Sequence, residues 1–266
     1  MTELAVEIRS PARPGTPLVA HVPHASTVIP DEVRGEFVVS HAELARELLR
    51  LTDWYTDELF AGLRERGATL FVNRLSRLVM DPERFLDESA EPMATRGQGV
   101  VYWLGSELQL LREASSGLRT RRVRDLYEPY HRALGSVVGE QLGEFGTCTL
   151  IDCHSFPTEP LRSEIDRSSG RPDICIGSDE LHTPLELADA LVAGFEAAGL
   201  SVARDVPYAG AFVPSGYYGR QSRVHSVMVE VRRGLYIDET TAKRLAAFDD
   251  LAVTIARVVG DAVGAN

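Results

Sequence analysis

The feature that most constrains this fold is a pair of histidines, His24 and His154, which each follow a short run of small and β-branched apolar residues. The two runs are Leu-Val-Ala-His-Val-Pro-His and Thr-Leu-Ile-Asp-Cys-His-Ser-Phe-Pro, and such runs are typical of buried parallel strands. Because the carboxyl ends of parallel strands meet at one edge of a sheet, we expect the two imidazoles to share one site there.

Strand patterns and helix patterns alternate along the rest of the chain. Strands are predicted at residues 17–22, 68–72, 77–80, 147–153, 173–176, 202–204 and 226–231. Helices are predicted at residues 42–66 with a junction at Asp53, 106–115, 118–143 with a break near Pro129, 184–198 and 240–263. This alternation predicts an α/β fold with a mainly parallel or mixed central sheet flanked by helices. The length of 266 residues fits one domain over residues 1–266.

The composition argues against several classes of partner. Lys and Arg number 28 against 39 Asp and Glu, and the net charge of −11 repels nucleic acid and anionic membranes alike. No apolar run approaches roughly 20 residues, and residues 1–10 lack a signal pattern, so we expect a cytoplasmic protein. Cys148, Cys153 and Cys175 are odd in number and lack Cys-x-x-Cys spacing, which predicts free thiols in or near the core.

The two histidines favour a metal centre. A catalytic zinc takes three protein ligands, usually imidazoles and carboxylates, and His24 and His154 supply two of them. Asp53 is the favoured third ligand because it falls at a helix junction, although Asp57 one turn later shares its face and remains an alternative. The competing interpretation is that each histidine is a hydrogen-bonded structural residue.

Two further carboxylates stand in apolar strand patterns. Glu230 is costly to bury without a partner, so we interpret it as a general base beside a metal-activated water. The alternative for Glu230 is an ion pair with Arg232 or Arg233. Asp152 is expected either to hold an imidazole or to cap a neighbouring helix.

An arginine cluster and a glycine-rich loop complete the candidate site. Arg77 and Arg84 suit a small acidic substrate because guanidinium groups bind carboxylates through two hydrogen bonds. The alternative is that Arg74, Arg77 and Arg84 pair with Asp81, Glu83 and Asp87 on a solvated face. The loop at residues 208–220 is interpreted either as a mobile flap that carries a phenol to the site or as an ordinary connection.

Five motifs taken in order resemble those of the N-formylglutamate amidohydrolase family, over residues 18–237. They are Val-Pro-His24-Ala-Ser, Thr-Asp53-Trp-Tyr-Thr-Asp-Glu-Leu, Asn-Arg-Leu-Ser-Arg77-Leu-Val-Met-Asp81-Pro-Glu-Arg84, Asp152-Cys-His154-Ser and Val-Glu230-Val-Arg-Arg-Gly-Leu-Tyr. The resemblance implies a fold similar to the zinc carboxypeptidases, one Zn²⁺ per chain, and hydrolysis of N-formyl-L-glutamate to formate and L-glutamate in histidine degradation. It implies these roles: metal ligands His24, Asp53 and His154, catalytic Glu230, and substrate-binding Arg77 and Arg84.

The sequence departs from the family pattern at two places. Pro-His-Ser-Gly is replaced by Pro-His24-Ala-Ser, and Asp-Leu-Asn-Arg is replaced by Asp81-Pro82-Glu83-Arg84. Because the second change alters the wall beside the arginines, the substrate could be another N-acyl amino acid or a small amide. Two other functions remain open: a zinc carboxypeptidase-like or cell-wall peptide amidase, and a non-catalytic protein that binds a small acid.

Overall fold

The computed structural model describes residues 5–264; the first four residues of the N-terminal stretch and the last two of the chain lie outside this range. A central sheet contains seven strands. They are β1 (Val6–Arg9), β2 (Leu18–Val22), β3 (Thr69–Asn73), β4 (Cys148–Phe156), β5 (Ile174–Gly177), β6 (Val202–Arg204) and β7 (Val224–Arg232). A short hairpin of β8 (Ile237–Asp238) and β9 (Lys243–Arg244) stands apart from this sheet.

The strand order is β1-β3-β2-β4-β7-β5-β6, and the sheet is mixed. Strands β3, β2, β4 and β7 run parallel, whereas β1 is antiparallel to β3 and β5 is antiparallel to β7. The register places His21 opposite Asp152 and His154 opposite Glu230. The predicted α/β fold with a mixed central sheet is confirmed.

Seven α-helices flank the sheet in the described part of the chain. They are α1 (Asp31–Arg34), α2 (His41–Leu51), α3 (Thr56–Leu59), α4 (Ser116–Arg122), α5 (Glu128–Phe145), α6 (Leu185–Ala197) and α7 (Phe248–Ala262). A π-helical turn, Val123–Tyr127, joins α4 to α5 just before Pro129, where the sequence predicted a break. None of the helices in residues 5–264 is long and apolar enough to span a membrane.

Side chains alternate between the two faces of the sheet, and each face has its own core. Helices α3, α6 and α7 cover one face, where Ile151 and Cys153 of β4 are buried. Helices α2 and α5 cover the other, where Leu150 of β4 packs. Because Asp152 and His154 alternate with Cys153, they stand on the α5 face together with Glu230. The three cysteines are buried free thiols, as predicted.

Strand β4 differs from its prediction in a way that matters for the site. The predicted strand ended at Cys153, but the ladder with β7 continues to Phe156. His154 therefore lies within the strand rather than after it. The long pairing partner extends the strand, because β7 offers backbone groups as far as Arg232.

Three other element predictions were wrong, each because a distant contact or a local turn decided the backbone, and one strand was missed. Residues 77–80 form a turn in which Ser76 accepts from Leu78 and Val79. Residues 106–115 are irregular, since the buried carboxylate of Glu47 binds the Ser106 backbone and side chain. The C-terminal helix begins at Phe248 rather than at residue 240, because the β8–β9 hairpin comes first. The edge strand β1 was not predicted.

Candidate active site

His24 and His154 come together at the carboxyl end of the parallel strands. His24 follows β2 by two residues, and its ring centroid lies 5.2 Å from that of His154, with the planes at 49°. Both side chains are buried. The structure thus brings two imidazoles that are far apart in the chain to within reach of one ion.

Asp53 lies beside both imidazoles. Its backbone N–H donates to the carbonyl of His24 (3.1 Å), which fixes the helix junction against the end of β2. Its Oδ2 atom is 3.1 Å from Nδ1 of His154 and 3.7 Å from Nδ1 of His24. Its Oδ1 atom accepts from Nη2 of Arg233 (2.8 Å). Asp57, the alternative, is instead 3.2 Å from Arg9 and away from the histidines.

The opposite edge of His24 is held by a buried carboxylate. Nε2 of His24 lies 2.9 Å from Oδ1 of Asp81. Asp81 Oδ2 also accepts from Tyr102 (2.7 Å) and Arg77 (2.9 Å), and Nε of Arg84 is 3.3 Å away. Because an ionised carboxylate only accepts, Nε2 of His24 carries a proton, and in the neutral ring Nδ1 has the lone pair. Nδ1 of His24 has no hydrogen-bond partner in residues 5–264.

His154 is surrounded by carboxylates. Its Nε2 atom is 3.1 Å from both Asp152 Oδ1 and Glu83 Oε1, and its Nδ1 atom faces Asp53. Burial disfavours its protonation, yet Glu83, Asp152 and Asp53 together raise the pKa of His154 well above its ordinary value. The same carboxylates would stabilise any cation placed between these rings.

Asp152 binds imidazoles, which is the first of the two roles expected for it from the sequence. Its Oδ1 atom is 2.8 Å from Nδ1 of His21, whose Nε2 is 2.6 Å from the hydroxyl of Tyr130. His21 had no distinctive surroundings in the sequence. The signal that could have found it is its register position directly opposite Asp152 on the neighbouring strand.

Glu230 is buried opposite His154 without a strong partner. Oε2 of Glu230 makes no hydrogen bond within residues 5–264, and burial raises its pKa to about 8. Arg232 binds Asp173 and Arg233 binds Asp53, so the alternative ion pairs of Glu230 are not formed. An unpartnered carboxylate opposite His154 is placed to accept a proton from a water in the site.

The arginine cluster is divided between two locations. Arg77 and Arg84 border the site and bind the buried Asp81. Arg74 points elsewhere and lies near Glu7 and Asp57. Arg77 and Arg84 do pair with Asp81, as the alternative expected, but they are largely buried at the site wall, and Arg74 pairs with none of the three expected carboxylates.

Glu83 is a site residue that sequence reasoning did not name as a ligand. Its Oε1 and Oε2 atoms lie 3.1 Å from Nε2 of His154 and 3.5 Å from Nε2 of His24. Donor atoms of His24, Glu83 and His154 lie within 4.8 Å of one another, as do those of His21, Glu83 and Asp152. Such sets of imidazole and carboxylate donors fit a divalent cation.

The loop at residues 208–220 covers the site with a phenyl ring. Phe212 stacks on His21 with ring centroids 4.7 Å apart, and its backbone N–H donates to Asp152 Oδ2 (3.3 Å). The hydroxyls of Tyr217 and Tyr218 bind Gly135 and Asp179, away from the histidines.

Comparison with known proteins identifies the class. The family described as N-formylglutamate amidohydrolase matches residues 16–237. N-formylglutamate deformylase of Pseudomonas aeruginosa is 29% identical over 245 residues, covering 88% of this chain and 86% of that protein. N-formylglutamate deformylase of Pseudomonas putida is 29% identical over 233 residues, covering 84% of this chain and 83% of that protein. The chain is therefore an amidohydrolase by class.

The family follows from the same match. Because the family description covers most of the chain, the protein belongs to the N-formylglutamate amidohydrolase family, and the resemblance of its motifs is confirmed. A solved N-formylglutamate amidohydrolase from Ralstonia eutropha JMP134 shares the fold, with a TM-score of 0.83 at 24% identity and 98% coverage of both chains.

Proposed function

We propose that this protein is a divalent-metal-dependent amidohydrolase that converts N-formyl-L-glutamate and water to formate and L-glutamate. The observation that carries the proposal is the convergence of His24, Asp53 and His154 opposite the buried Glu230. The names of the two Pseudomonas relatives support the choice of substrate. Zinc is the ion we propose, since two imidazoles and one carboxylate are a common ligand set of catalytic zinc.

The two imidazoles can bind an ion either through their Nε2 atoms, at the Nε2 edge, or through their Nδ1 atoms, at the Nδ1 edge. An ion on the Nε2 edge, beside Glu83, would compete with Asp81 for the nitrogen of His24. On the Nδ1 edge, the nitrogen of His24 has no hydrogen-bond partner in the described residues and faces Asp53. We therefore propose His24, Asp53 and His154 as the ligands, in preference to His24, Glu83 and His154, with Asp81 and Asp152 fixing the two rings from behind.

The residues around this set have distinct roles. A bound divalent ion supplies polarisation of the amide carbonyl and a lower pKa for water. Glu230 takes a proton as the water oxygen bonds to the formyl carbon, and returns it to the nitrogen as the C–N bond breaks. Nη2 of Arg233 donates to Oδ1 of Asp53 and to the Ser155 carbonyl, and so holds Asp53 against strand β4.

Arg77 and Arg84 are the proposed anchors of the substrate carboxylates. Asp81 engages one edge of each guanidinium, and their side chains remain 15% and 20% exposed. A charged acceptor can use the remaining donors. The proposed partner is thus a small acidic molecule. Location in the cytoplasm, a place in histidine degradation and a single domain over residues 1–266 stay predictions.

The direct test is formate release from N-formyl-L-glutamate by zinc-loaded protein, compared between the wild type and Glu230→Gln. We expect the variant to keep its metal and to lose about 10²–10⁴-fold in kcat, since it cannot accept a proton. Metal content by elemental analysis and the melting temperature are the controls. Retained turnover removes Glu230 from the mechanism, and cleavage of short peptides without cleavage of N-formyl amino acids replaces the proposed substrate.

A further inference from the structure

Tyr208 lies over the same face of the sheet as the proposed catalytic residues. Its ring packs edge-on against Phe156 (5.7 Å between centroids), which stands two residues beyond His154 on that face. Its carbonyl accepts from Sγ of Cys175 (3.2 Å), the residue directly opposite Glu230 in the sheet. These two contacts place Tyr208 over the part of the sheet in which His154 pairs with Glu230.

The hydroxyl of Tyr208 has a donor proton without an acceptor. It accepts from Nη1 of Arg171 (3.2 Å), and among the hydrogen bonds of residues 5–264 it donates to no atom. Arg171 is held in turn by Glu164 and by the carbonyl of Pro157 (3.2 Å). Because a hydroxyl that accepts from a cation becomes a stronger donor, the phenol is prepared to bind an electron-rich oxygen.

The phenol also stays protonated at neutral pH. Burial, followed by the nearby charges of Glu164 and Glu230, raises the pKa of Tyr208 well above its ordinary value. The hydroxyl is therefore a hydrogen-bond donor at neutral pH. The Tyr208 hydroxyl is a donor without an acceptor, and it complements Glu230, whose Oε2 atom accepts no hydrogen bond within the described residues.

We propose that Tyr208 is a further catalytic residue, whose hydroxyl donates a hydrogen bond to the oxygen of the scissile amide as negative charge develops there, and that Arg171 positions it. The inference rests on the proposed function. In the proposed pose, the substrate carboxylates bind Arg77 and Arg84, which contact Asp81 beside His24, and the reacting amide lies at Tyr208 and Glu230.

The test is Tyr208→Phe, assayed by formate release from N-formyl-L-glutamate with zinc-loaded protein. Because a donor to developing charge acts in the transition state, we expect kcat to fall about 10²-fold while KM stays within about threefold. Tyr217→Phe is the matched control: its hydroxyl binds Gly135 on the same loop, and its kcat should be unchanged. A kcat for Tyr208→Phe within threefold of wild type, or a loss confined to KM, overturns the assignment.

The role of Arg171 is tested by a double-mutant cycle. If Arg171 acts through Tyr208, Arg171→Lys lowers kcat in the wild-type background but not in the Tyr208→Phe background. Equal losses in both backgrounds overturn the positioning role, and thermal melts identify any variant that fails to fold. A wild-type protein without formate release overturns the proposed function itself, whereas an active wild type with an equally active Tyr208→Phe overturns this inference alone.

Discussion

At the scale of single residues, the two ring nitrogens of His24 have opposite surroundings. Nε2 donates to Asp81, while Nδ1 lies 3.7 Å from Oδ2 of Asp53 and makes no hydrogen bond within residues 5–264. A nitrogen lone pair and an ionised carboxylate repel each other unless a cation separates them. Burial and Arg77 oppose protonation of His24, yet Asp81 and Glu83 raise its pKa overall.

Substitution of Asp53 distinguishes between the two possible positions of the ion, at the Nδ1 atoms or at the Nε2 atoms of the histidines. We expect Asp53→Asn to weaken zinc binding by about 10–100-fold, because it removes a charged ligand and leaves the buried Arg233 without its carboxylate partner. Zinc affinity, measured by competition with a chelator, checks this. Asp57→Asn is the matched control, and its affinity should match wild type. Loss of zinc in Glu83→Gln with retention in Asp53→Asn would contradict the assignment.

Sequence reasoning could name residues whose position follows from a strand. His24, His154 and Glu230 lie in or directly after apolar runs, so the edge of the sheet locates them. Glu83 and Tyr208 lie in irregular segments whose path depends on distant contacts, such as the bond between His131 and the carbonyl of Pro82 (2.8 Å). No local pattern in the sequence encodes such contacts.

At the scale of elements, the segment 208–213 forms a cover over the site face. Phe212 rests on His21, and Ser226 of β7 donates to the Phe212 carbonyl (2.7 Å). Gly177, the last residue of β5, lies under this segment. A Cβ added there would collide with the Gly210 carbonyl and the Met228 side chain. The close approach of strand and cover therefore depends on glycine at this position.

We expect Gly177→Ala to displace the cover and lower kcat/KM, with a loss of about 1–3 kcal/mol in the free energy of unfolding. Gly143→Ala is the matched control, because a Cβ there meets nothing within 4 Å in helix α5. It should gain about 0.5–1 kcal/mol and keep full activity. Urea denaturation and formate release measure both variants. Unchanged kinetics in Gly177→Ala would show that the cover does not act on the site.

The element predictions succeeded where hydrophobic patterns were long and local. The core strands β2, β4 and β7 were found from their apolar runs, although the end of β4 was set by its partner. The predicted helix at residues 106–115 does not form because Glu47, about sixty residues earlier in the chain, accepts hydrogen bonds from Ser106. A buried carboxylate that binds a loop overrides local helical preference, and its partner cannot be read from a sequence window.

At the scale of the whole molecule, the site concentrates titratable groups in a buried volume. Asp53 and Asp81 are buried with pKa values held well below their ordinary range, for Asp53 by His154, His24 and Arg233 against the effect of burial. Glu230 and His154 have raised pKa values. Without a divalent ion, the folded protein therefore retains protons that the unfolded chain releases near neutral pH.

We expect the metal-free protein to lose stability as the pH rises from 6 to 8. The unfolded chain releases the proton of Glu230 near 4.5 and the folded protein near 8, so folding takes up protons across this window. Each such proton contributes a slope of up to about 1.4 kcal/mol per pH unit. Urea denaturation of metal-free wild type and Glu230→Gln checks this, with a shallower slope expected in the variant. Stability that is constant or rising over this window would contradict it.

The account depends on one ion held at the Nδ1 edges of His24 and His154. The most direct measurement is an anomalous difference map at the zinc edge from crystals of the zinc-loaded protein. We predict one peak per chain, bonded to Nδ1 of His24, Nδ1 of His154 and a carboxylate oxygen of Asp53. A peak at the Nε2 edges beside Glu83, or no peak between the two rings, would contradict the account.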